Sequence, residues 1–148
     1  MTGITIERVD HIGIRVRDLD RAMSFYAALG FELLHRVTFD PVAIIRNAAG
    51  VEINLILNAN AGDPATNILM DVTEKYAGYT HVALRVASIP GTIATLKDHD
   101  IRITQGPSKF GEDGGVSVFV RDPDGNVIEL RGRDQGHVEG VTQYENAN

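Results

Sequence analysis

Apolar and polar residues alternate in two stretches, His11-Ile12-Gly13-Ile14-Arg15-Val16 and His81-Val82-Ala83-Leu84-Arg85-Val86. Period-two alternation predicts half-buried strands. After the first stretch the period changes. Asp18 reads as a helix N-cap, Leu19, Met23, Tyr26 and Ala27 keep helical spacing, and Gly30 ends the helix. Phe31 to Val37, Val42 to Arg46 and Val51 to Leu57 read as three further strands, with a hairpin turn over residues 47–50. After the second stretch the order returns. Ser88 caps a helix over Ile89 to His99, and strands follow at Ile101 to Thr104, Val116 to Arg121 and Asn126 to Arg131. Asp122-Pro123-Asp124-Gly125 is a strong turn signal. Asp71 to Lys75 suggests one short helical turn.

These two runs are copies of one unit. His11, Arg15 and Val16 recur as His81, Arg85 and Val86 at an offset of 70. Asp18 falls on Ser88 and Gly30 on Asp100 at the same offset. Past a Gly-rich insertion the offset becomes 75, which aligns Arg46-Asn47-Ala48-Ala49-Gly50 with Arg121-Asp122-Pro123-Asp124-Gly125. A repeat of this length defines the architecture. The expected fold is α+β, with a first βαβββ module at 6–58, a linker at 59–78, a second module at 79–132 and a loose polar tail at 133–148.

Composition narrows the function. Within 148 residues, 43% apolar and 23% charged is an ordinary globular balance. No apolar run approaches the roughly 20 residues of a membrane helix, and the charged N-terminus is no secretory signal. A cytoplasmic location is expected. Absence of cysteine removes thiolate ligands and cysteine nucleophiles. A net charge of -6 argues against a nucleic-acid partner. A small-molecule partner remains.

Strand alternation places the candidate chemistry. Opposite the greasy faces lie His11 and Arg15, Glu52, Asn54 and Asn58, His81 and Arg85, and Glu129. The 75-residue offset pairs Asn54 with Glu129. Two histidines and a carboxylate form a facial triad that leaves metal coordination positions open, and open positions suit catalysis. Either histidine alone reads as an ordinary strand residue; the repeat-equivalent pair with Glu129 on the same face does not. Glu52 reads as a base, an alternative ligand or a solvated strand end. Arg15 and Arg85 each need an anion, from a substrate or a neighbouring acid. His35, His99 and His137 read as surface residues.

VDHIGIRVRDLDRAMSFYAALGFEL, YTHVALRV and DPDGNVIEL together resemble the vicinal oxygen chelate superfamily, the glyoxalase I, bleomycin-resistance and extradiol-dioxygenase group, over about residues 6 to 132. The resemblance implies paired modules whose mixed sheet curls around a metal cleft, one divalent ion (zinc, nickel, manganese, cobalt or iron) and a homodimer. Within the group the chain looks most like glyoxalase I. That likeness implies His11, His81 and Glu129 as ligands, Glu129 also as a base, and Arg15 and Asn58 as holders of a glutathione moiety. The family's second ligand glutamate is replaced by Asn54, and an amide takes no proton.

The implied activity is a metal-dependent, glyoxalase-I-like lyase or isomerase that moves a proton beside a metal-held oxygen of a small substrate such as a glutathione adduct. An epimerase of acyl-thioesters accommodates an amide at position 54. The alternatives are an Fe(II) extradiol-type dioxygenase, a thiol transferase of the fosfomycin-resistance type, and a metal-free small-molecule-binding resistance protein.

Overall fold

A computed structural model describes residues 2–62, 66–110, 113–134 and 138–144. The chain divides into two compact units, residues 1–61 and 62–148. The first runs β1 (Ile12–Arg15), α1 (Leu19–Tyr26), β2 (Glu32–Arg36), β3 (Val42–Arg46) and β4 (Glu52–Ile56). Its sheet has the order β1-β4-β3-β2, with β1 parallel to β4 and the other pairs antiparallel. The second runs β5 (His81–Arg85), α2 (Ile89–Asp98), β6 (Ile103–Phe110), β7 (Gly115–Arg121), β8 (Val127–Arg133) and β9 (Thr142–Tyr144). Its order is β5-β8-β7-β6-β9. The fold is α+β, with one mixed sheet per βαβββ unit.

The repeat holds at the level of single hydrogen bonds. Gly13 pairs with Asn54 in the first unit, and the equivalent Ala83 pairs with Glu129 in the second. Asp18 and Ser88 both cap their helices, accepting from the Arg21 and Gly91 amides. Beyond each helix an amide reaches back five residues, Phe31 to the Tyr26 carbonyl and Ile101 to that of Leu96. This C-terminal closure requires a left-handed residue. Gly30 supplies it at φ 91° and Asp100, its counterpart, at φ 55°.

Each core is the greasy side of a sheet covered by its helix. Ile14, Ile45, Ile53 and Leu55 are buried in the first unit, Val118, Val120, Ile128 and Leu130 in the second. Full burial of such a side chain contributes roughly 1.5–3 kcal/mol. The opposite faces carry the polar residues: His81, Ala83 and Arg85 on β5 are exposed.

Four expectations need correction. The buried stripe of α1 is Ala22, Phe25 and Tyr26, while Ala27 is exposed; the helix ends at Tyr26 and the chain turns on to Gly30. β6 extends well past Thr104 to Phe110, because β7 begins at Gly115 and pairs along it through two irregularities in register. The tail is not loose throughout. Thr142–Tyr144 adds a parallel strand to β6, and Tyr144 stacks on Phe110 with centroids 5.0 Å apart. Asp71 to Lys75 forms bends and turns instead of a helix. Asp71 accepts two hydrogen bonds from Arg121, at 2.6 and 2.7 Å, which hold its carboxyl far below the ordinary range.

Candidate functional site

In the first unit His11 lies just ahead of β1, beside the start of β4. Its Nδ1 is 2.7 Å from Asp10 Oδ1. An ionised carboxylate only accepts, so the ring donates from Nδ1 and presents Nε2 as a lone pair. A histidine held this way is oriented for a metal. The hydrogen bond from His11, the largest cause, holds the Asp10 carboxyl below its usual range. Asp10, His11 and Glu52 offer ligand atoms all within 4.8 Å of one another. Glu52 also receives a 2.7 Å hydrogen bond from Arg46, its cross-strand partner. Asn54 is half-buried, and its Oδ1 is enclosed with no hydrogen-bond partner. Arg15 Nε donates to Asn58 Oδ1 at 2.9 Å.

In the second unit His81 Nε2 lies 3.1 Å from Glu129 Oε2. Thr80 Oγ1 lies 2.9 Å from the other ring nitrogen, and Phe119 packs edge-on against the ring at 5.6 Å between centroids. The other oxygen of Glu129 accepts a 2.6 Å hydrogen bond from Ser117. Behind Ser117 stands Arg131, donating to its Oγ at 3.0 Å and to both Asp113 oxygens at 2.8 and 2.7 Å. Those bonds, with one from the Gly115 amide, lower the Asp113 carboxyl. Gly115 makes room for the chain: a Cβ there would lie 2.5 Å from Arg131 Nη2. Glu129 is thus fixed at one oxygen and left with the other beside His81.

The structure brings together His81 with Glu129, His11 with Glu52, and Arg15 with Asn58. Arg85 stands apart from them, near Asp113. The sequence reading passes over Asp10 and Thr80, although the 70-residue offset that pairs the histidines also pairs these two holders of Nδ1. It misses Ser117, Arg131 and Asp113 as well. Ser117 aligns with Val42, so the repeat carries no signal for it. His35 and His99 are exposed, as expected; His137 lies outside the described residues.

Each unit by itself offers donors of the kind a divalent ion takes. Two atoms on adjacent positions of an ion with bonds near 2.1 Å lie about 3 Å apart, the separation seen between His81 Nε2 and Glu129 Oε2. The enclosed, partnerless Asn54 oxygen calls for a cation or a donor.

Comparison with known proteins identifies the family. Residues 8–130 match the Glyoxalase/Bleomycin resistance protein/Dioxygenase superfamily. The chain belongs to that superfamily. A probable lactoylglutathione lyase of Vibrio cholerae is 31% identical over 140 residues, covering 88% of this chain and 94% of the relative. The mitochondrial methylmalonyl-CoA epimerase of Mus musculus is 27% identical over 129 residues, covering 83% and 71%. Among solved structures, a glyoxalase/dioxygenase from Nostoc punctiforme has a TM-score of 0.68 at 21% identity, over 91% of this chain and 99% of the other. No helix among the described residues is long and apolar enough to cross a membrane.

Proposed function

We propose that the chain is a metal-dependent lyase or isomerase of the glyoxalase I type, moving a proton next to a carbonyl of a small, glutathione-linked substrate. The observation that carries this reading is the Glu129 carboxylate, held at one oxygen by Ser117 and meeting His81 Nε2 with the other at 3.1 Å. His11, His81 and Glu129 would hold the ion, with Asn54 as a weak fourth. When bound, the ion supplies Lewis acidity that makes the carbon next to the carbonyl acidic.

The chain's own residues do the rest. Glu129 Oε2 takes the proton from one carbon, exchanges it with solvent and returns a proton to the neighbouring carbon, so no electrons leave the substrate. Asp10 and Thr80 orient the histidine rings. Arg15 and Asn58 hold the anionic tail. Glu52 is engaged by Arg46, which suits it to holding charge near His11 better than to carrying a proton. The chain works as a homodimer, which light scattering reads as twice the chain mass.

Epimerisation beside an acyl-thioester carbonyl is the second reading. It is favoured by the partnerless amide of Asn54, a neutral ligand that suits one-base or substrate-assisted exchange. In both readings Asn54→Glu tightens the metal, since a carboxylate binds a divalent ion better than an amide does. A chelator competition is expected to show affinity rising roughly tenfold. Weaker binding would remove Asn54 from the ligand set.

A further inference from the structure

The second unit contains a cavity of about 520 Å³ lined by Arg85, Val86, Ala87, Asp113, Gly115 and Arg133. Arg85 closes β5 and Arg133 closes β8, and both are exposed on the face that carries His81 and Glu129. Neither guanidinium makes a hydrogen bond or ion pair with a described residue, and Arg85 acts on the Asp113 carboxylate only through its charge. Asp113, the one acid among the described lining residues, is engaged by Arg131 and the Gly115 amide. Two guanidiniums with no hydrogen-bonded partner among the described residues therefore share one cavity with a single, already engaged carboxylate, in a chain whose net charge is -6. Like charges so placed repel unless an anion lies between them.

The repeat shows what has changed. The offsets of 70 and 75 map Arg15 onto Arg85 and Asn58 onto Arg133. In the first unit the arginine is satisfied by the asparagine at 2.9 Å. In the second, the asparagine position has become another cation.

We propose that Arg85 and Arg133 form an anion subsite for the oxyanion end of a small molecule, a phosphate or a carboxylate. Arg85 pairs with Arg131, two residues beyond Glu129, and Arg133 lies four beyond. At about 3.3 Å per residue the anion sits roughly 7 to 13 Å along the sheet from Glu129. The ligand is thus an elongated molecule with a neutral reacting end and an anionic group at this distance from it, distinct from the one assigned to Arg15 and Asn58. This tail reading rests on the proposed role of Glu129; the anion site itself does not.

The test is calorimetric titration of the purified protein with inorganic phosphate and, separately, with succinate. Saturable binding of at least one is expected, and the tighter of the two identifies the tail. Arg85→Gln and Arg133→Gln each weaken that binding at least tenfold. Arg36→Gln, an equal charge change on the exposed strand β2, leaves it unchanged, and so does Glu129→Gln. Loss of activity in Glu129→Gln with anion binding intact separates the two claims. Absence of saturable binding, or equal weakening in Arg36→Gln, overturns the subsite.

Discussion

Glu129→Gln is expected to lower turnover by roughly 10² to 10⁴-fold, the usual contribution of a positioned general base, with little change in thermal stability. The amide keeps the shape of the side chain, and its oxygen still accepts from Ser117. What it loses is the capacity to take a proton at the position now held by Oε2, beside His81. The proposed base is positioned from behind. Asp113 fixes Arg131, Arg131 fixes Ser117, and Ser117 fixes one carboxylate oxygen, which turns the other toward His81. Steady-state kinetics with a folded variant checks this. Activity within threefold of the parent would show that another group carries the proton.

The second large effect concerns the metal. His11→Ala combined with His81→Ala is expected to take the divalent-metal content from near one per chain to near zero, read by elemental analysis after loading and desalting. Both rings lie in exposed positions, so their removal leaves the cores intact. Asp10→Asn tests the same account more gently. It keeps a hydrogen bond to the His11 ring but loses the charge that orients it. A neutral partner is expected to weaken metal affinity by about 10- to 100-fold. An unchanged stoichiometry in the double variant would remove both histidines from the ligand set.

Much of the fold was legible because the sequence states it twice. The offsets of 70 and 75 predicted the β5–β8 register from that of β1–β4, and the caps at Asp18 and Ser88 fixed both helix starts. Alternation sorted the faces of β4, β5 and β8 correctly. What escaped lies where the copies diverge. β6 is longer than β2 because its pairing with β7 continues through irregular register, and β9 answers no strand of the first unit. The face of α1 escaped for another reason: Leu19, Met23, Tyr26 and Ala27 share helical spacing, but so do Ala22, Phe25 and Tyr26, and tertiary packing chose the second set.

In the site, His81 with Glu129 and Arg15 with Asn58 were readable from alternation and the repeat. The Ser117–Arg131–Asp113 chain was not, because each link depends on side-chain reach across strands, not on period. The exposed position of Arg85 beside Arg133 likewise emerges only once β5 and β8 are laid side by side.

The central claim is that Glu129 moves a proton next to a carbonyl in a metal-loaded site. It is tested most directly by hydrogen exchange in deuterated water. Metal-loaded protein is incubated with the hemithioacetal of methylglyoxal and glutathione, with an acyl-thioester bearing an acidic α-hydrogen, and with a catechol under air. The account predicts deuterium at the carbon next to the carbonyl in one of the first two substrates, lost in Glu129→Gln. No exchange in either, with oxygen consumption and ring cleavage of the catechol, would contradict it and make the chain an iron dioxygenase.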